Sequence, residues 1–172
     1  ELKDHDMALH HLQYAAKLTT ERSEKGLIYG RLAEMAFNKK DYEMAQAGYS
    51  NVIANSLSKE KIEKAHLQIL KILRENKDYR SAQKKIKGML ADDKFKRISG
   101  NLELELVQLY RAQGNSSEIE TRLESIVNNY QRTQVSAEAY YQLGQIYTSE
   151  KWDLTKAKEY FDNVSKESSR SL

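Results

Sequence analysis

The chain has 172 residues, enough for one domain with a sizeable core, and is 40% hydrophobic and 31% charged, with no proline, no cysteine and 7 glycines. Long-side-chain helix formers with few breakers predict an all-α protein and argue against a sheet, while the missing cysteines exclude disulfides and thiolate metal sites. The net charge is +3, no apolar run approaches the ~18 residues of a membrane span, and the chain starts at Glu1 without an initiator methionine or leader, so it reads as a piece of a longer protein.

In chain order, Ala8, Leu12 and Ala15 fall on one face of a first helix, with Asp4 or Asp6 as its N-cap. No partner helix precedes it, so residues 1–20 read as the second half of a hairpin. From residue 21 to 57 a helix carrying Tyr29, Leu32, Ala33 and Ala36 ends at Asn38-Lys39-Lys40, and a second one, capped by Asp41, carries Ala45, Tyr49 and Val52. Residues 58–94 repeat this with His66, Ile69, Leu70 and Leu73, a turn at Asn76-Lys77, Asp78 as cap, then Ala82, Ile86 and Met89. Residues 95–131 carry Leu106, Val107 and Tyr110, and Gly114 suits the left-handed position after a helix. Ser117 and Glu120 have capping-box spacing ahead of Leu123 and Ile126. Residues 132–168 carry Ala137, Tyr140, Leu143, Gly144 and Tyr147, then Ala157, Phe161 and Val164, with one extra residue in the turn near Lys151-Trp152 before Asp153.

A single position recurs through these segments: Ala8, Ala45, Ala82, Ile119 and Ala157, at spacings of 37, 37, 37 and 38. Regular self-similarity of this length implies stacked helical hairpins, each needing neighbours to bury its second apolar face. The residues carrying the repeat resemble the tetratricopeptide repeat. Tyr140, Leu143, Gly144, Tyr147, Ala157 and Phe161 match it position by position, as do Tyr29, Leu32, Ala33, Ala45 and Tyr49. His66 and Glu103 replace the first large residue in the other two units, and Ile119 replaces the Ala. The resemblance implies a right-handed α-α superhelix of about nine antiparallel helices, a single array over residues 1–172.

The family's usual period is three residues shorter, and the excess lies between the second helix of one hairpin and the first of the next. Three residues amount to about 4.5 Å of helix, so longer helices are expected to meet there. Such long repeats are similar to those of bacterial envelope proteins of this family, which implies a periplasmic setting, with the cytoplasm as the alternative. Those proteins usually have Tyr-Pro where this chain has Tyr130-Gln131.

The resemblance also implies a binding surface, the concave side, lined by first-helix residues not used for packing. These are Leu27, Gly30, Glu34 and Phe37; Lys64, Leu67, Lys71 and Arg74; Asn101, Leu104, Gln108 and Arg111; and Glu138, Tyr141, Gln145 and Thr148. Its basic and apolar members suit an extended or helical peptide with acidic and apolar side chains, arginine offering a bidentate grip on carboxylate. Ordinary solvated charges are the competing explanation. The carboxylate clamp of chaperone-binding family members is missing, since Gly30, Leu67, Leu104 and Tyr141 stand where its lysine would be and Glu34, Lys71, Gln108 and Gln145 where its asparagine would be.

No enzyme, metal or cofactor is expected. The histidines His5, His10, His11 and His66 form no i, i+4 pair, no glycine-rich phosphate loop exists, and His66 reads as a core packing residue. Nucleic-acid binding is the main rival to protein binding, because residues 59–97 hold thirteen basic residues against six acidic ones. Interleaved acids and the lack of an aromatic row for base stacking count against it. A spacer or self-association module is the third reading.

Overall fold

The computed structural model describes residues 2–170, with side chains described for residues 7–167. The described residues form nine α-helices and one 3-10 helix, with no strand. They divide into two compact units, Glu1–Ala82 and Gln83–Leu172.

In the first unit α1 (Leu2–Leu18), α2 (Arg22–Asn38), α3 (Tyr42–Asn55) and α4 (Lys59–Glu75) each pack on the next in sequence. Their apolar faces close around Ala33 and Ala36 of α2, Ala45, Tyr49 and Val52 of α3, and Ala65, Ile69 and Ile72 of α4. Small residues set the distance between α2 and α3: a Cβ built on Gly48 would lie 2.8 Å from the Ala33 Cβ. At Gly26, near the start of α2, it would lie 3.1 Å from the Ser56 backbone, which lets the chain leaving α3 cross closely.

α5 (Tyr79–Leu90) leads to a 3-10 helix, Asp93–Ile98. In the second unit follow α6 (Ser99–Ala112), α7 (Ser116–Asn129), α8 (Gln134–Ser149) and α9 (Leu154–Arg170), again packed in sequence. Leu102, Leu106 and Leu109 of α6, Leu123 and Ile126 of α7, and Leu143 of α8 are almost wholly buried. Gly144 lies under the Phe161 ring, which a Cβ would meet at 2.6 Å, so this glycine serves close packing of α8 on α9. Glu167 of α9 is buried and ties α9 to the start of α8: its carboxylate accepts from Ser136 Oγ at 2.6 Å and from the Arg132 backbone N–H. The N-terminus of α8 is further closed by a reciprocal Thr133–Ser136 capping box.

One turn recurs at four of the helix-to-helix links. Lys40, Lys77, Gly114 and Trp152 have φ of 62°, 60°, 71° and 56°. In the first three, the next residue donates its N–H five residues back, Asp41 to Ala36 and Asp78 to Leu73 at 2.9 Å and Asn115 to Tyr110 at 3.0 Å, satisfying a helix-end carbonyl. The added residue of the fourth turn stretches this bond to Asp153 N–H on Tyr147 O, at 3.0 Å. Asp41, Asp78 and Asp153 then cap the following helices, accepting from the N–H groups of Met44, Ser81 and Lys156. A single residue thus closes one helix and opens the next.

Four expectations need correction. α1 begins at Leu2, so Asp4 and Asp6 lie inside it and neither is its cap. Ser117 and Glu120 form no capping box, because the turn ends at Asn115 and the helix starts at Ser116; Ser117 donates to Asn115 Oδ1 at 2.9 Å. His66 is only half-buried, since α4 is rotated to put Ala65, Ile69 and Ile72 inward. The three surplus residues do not simply lengthen helices: α2 and α4 have 17 residues each, but the link into α6 is the 3-10 helix, which buries Phe95 and Ile98.

Candidate functional site

In the first unit α2 and α4 wall a groove of about 760 Å³, with Tyr49 and Val52 of α3 at its base. It brings together the expected residues Glu34, Phe37, Lys64, Leu67 and Lys71, and with them Leu27 and Gly30. Leu27 is 50% exposed, a large apolar side chain standing in the groove wall instead of the core. Arg31, Lys61, Lys64 and Lys71 also line it, against the single carboxylate of Glu34. Lys71 Nζ sits 4.9 Å from the centre of the Phe37 ring, which tilts against Tyr42 at 5.7 Å, so the ammonium is held over the groove by cation–π attraction. Lys64 pairs with Glu60 at 2.6 Å, but both are well exposed, and such a pair yields easily to another carboxylate. At the base, burial and the nearby charge of Glu34 push the Tyr49 hydroxyl up to about 12, so it stays neutral. Arg74 is half-buried and does not line this groove.

The remaining expected residues lie in the second unit. Gln108 Nε2 and Arg111 Nη2 both donate to Gln142 Oε1, at 3.4 and 3.1 Å, and Gln142 donates in turn to Glu138 at 2.8 Å. Because Gln142 is buried, these bonds satisfy an amide that packing has taken from water, and Arg111 is partly committed to structure. Leu104 is half-buried, while Tyr141 is 45% exposed with its ring 5.9 Å from that of Phe161. Arg111 and Gln145 line a smaller cleft of about 520 Å³ with Ser116, Glu120 and Lys151.

Glu120 forms the electrostatic centre beside that cleft. Its carboxylate accepts from the Lys151 ammonium and from the Tyr147 hydroxyl, and these bonds hold it below the usual carboxylate range. The Tyr147 hydroxyl accepts from Lys156 Nζ at 2.8 Å, and both lysines stand over its ring, at 4.7 and 4.4 Å. The lysines are raised in consequence, Lys151 mainly by Glu120 and Lys156 mainly by Tyr147. Glu120 thus links α7 to α8 and to the turn before α9, and Lys156 adds a bond from α9 to α8, so the cluster braces these three helices.

Sequence reasoning missed Arg31, Lys61 and Gln68 as groove residues. Lys61, Lys64, Gln68 and Lys71 form one stripe of α4 at spacings of three and four, the signal that could have found them. Among the described residues no cluster of His, Asp or Glu is placed to hold a metal, and no helix is long and apolar enough to cross a membrane. No protein-family model matches the chain, and no curated protein is significantly similar to it.

Proposed function

We propose that the protein is a non-enzymatic interaction scaffold of the tetratricopeptide-repeat kind, and that the groove between α2 and α4 takes a peptide or protein segment carrying acidic and apolar side chains. The observation that carries this reading is the composition of that groove: exposed Leu27 and half-buried Leu67 and Phe37 within a rim of Arg31, Lys61, Lys64 and Lys71. An apolar floor under a cationic rim is how a short anionic segment gains both affinity and register. The recurrence of one turn and one set of small packing positions along the chain supports the repeat assignment, and its long period supports a role in bacterial envelope assembly.

The test is selection from a displayed random-peptide library on the immobilised chain, followed by titration of the enriched peptides. Acidic, apolar-containing sequences should be enriched, and Lys64→Glu with Lys71→Glu should weaken them about tenfold or more, the worth of one to two charge-assisted contacts. Enrichment of peptides indifferent to that double substitution would move the site elsewhere. Binding of RNA with a steep loss on adding salt would instead favour nucleic acid.

A further inference from the structure

Gly30 is the ninth residue of the 17-residue helix α2, where glycine weakens a helix. The other tightly placed glycines have a packing reason: added Cβ atoms would strike Ser56 at Gly26, Ala33 at Gly48, Val135 at Gly100 and Phe161 at Gly144. At Gly30 the Cβ would meet only Val52 Cγ2, at 3.7 Å, an ordinary contact. No neighbour requires this glycine. What its missing side chain leaves is space, and that space opens into the groove, which Gly30, Leu27, Val52 and Leu67 all line.

We infer that Gly30 is the floor of a side-chain pocket, and that the ligand of the groove is a short acidic segment that places one large apolar side chain there between two carboxylates. This rests on the reading of the groove as a peptide site and specifies it. Gly30 and Leu67 are 37 residues apart, the same repeat position on α2 and α4, so the pocket lies at the level of Leu67. Leu67 stands between Lys64 and Lys71, which are separated by seven residues or about 10.5 Å of helix. A polyproline II segment has three residues per turn and advances about 3.1 Å per residue, so carboxylates three positions apart share one face and reach both lysines, while an apolar residue between them turns away from α4. Charge complementarity fixes the sign of the partner, since one acidic and four basic side chains line the groove.

The probes are end-blocked, fluorescein-labelled peptides with two aspartates three positions apart and Phe, Leu or Ala between them, read by fluorescence anisotropy. The Phe and Leu probes should bind and the Ala probe should be weaker by about tenfold or more, the worth of burying one such side chain. Gly30→Leu, which fills the pocket, should weaken the Phe probe to the level of the Ala probe while the helical circular-dichroism signal and melting temperature hold. Leu27→Ala, at a half-exposed wall position, gives a second variant that does not depend on fitting a larger residue into α2. Undiminished Phe-probe binding by both variants, with loss in Lys64→Glu/Lys71→Glu, would overturn the apolar pocket and leave the peptide site standing. If no probe binds and the displayed library also yields no peptide, both fall. An oligouridine that displaces the Phe probe without sensitivity to Gly30→Leu would overturn the pocket in favour of nucleic acid.

Discussion

A methyl group added at Gly30 meets one side-chain carbon at ordinary contact distance, whereas at Gly48 it lies 2.8 Å from the Ala33 Cβ and 3.1 Å from its Cα. Gly30→Ala should therefore stabilise the first unit by about 0.5–1 kcal/mol, the helix-propensity difference. Gly48→Ala should destabilise it by about 1–3 kcal/mol, because α2 and α3 must separate. Urea denaturation at unchanged slope tests the pair, and shifts of the same sign would contradict the packing described. Tyr49 supplies a pH signature. Its folded value is raised from 10.0 to about 12, so its contribution to stability is complete below pH 10 and is lost as pH rises towards 12. Tyr49→Phe should remove the latest tyrosinate absorbance step and flatten that alkaline loss.

Helix ends test the turn common to the four links. A left-handed conformation costs an L-residue energy that glycine does not incur, partly offset by glycine's greater freedom in the unfolded chain. Lys40→Gly and Lys77→Gly should each raise stability by about 0.5–1 kcal/mol, and Gly114→Ala should lower it by about 1 kcal/mol, in thermal melts. These turns were legible in the sequence because Lys-Asp and Gly-Asn pairs sit where one helix must stop and another be capped. The apolar faces of α3, α6 and α7 were legible for the same kind of reason, a strict period. The 3-10 helix was not, since Phe95 and Ile98 are buried by tertiary packing that no local period encodes. Glu120 illustrates another limit: its spacing to Ser117 suited a cap, but Lys151 and Tyr147, distant in sequence, offer a charge and a hydroxyl. The groove was half legible. Its apolar and lysine positions followed from helix periodicity, while the space at Gly30 depends on what α3 places beneath it.

For the molecule as a whole, the two units carry different responses to pH. Glu120 in the second unit has a lowered folded value, so its stabilisation is present above the ordinary carboxylate value of 4.5 and fades as pH falls through the lower one. Amide-exchange protection factors in α7 and α8 should fall over that acid range, and Glu120→Gln should make them less dependent on pH; an unchanged profile would show that the ion cluster does not brace these helices. The alkaline loss linked to Tyr49 belongs to the first unit, and the raised values of Lys151 and Lys156 give the second unit an alkaline loss of its own. Trp152 bears on how any of this could be watched. It is the sequence's one tryptophan, carried on the left-handed turn between α8 and α9, and 80% exposed. Its indole meets water before and after unfolding, so intrinsic emission will barely change as the cores open. The same ring is a ready-made surface beacon, open to quenchers in the native state and dimmed or shifted only by something that settles on that turn.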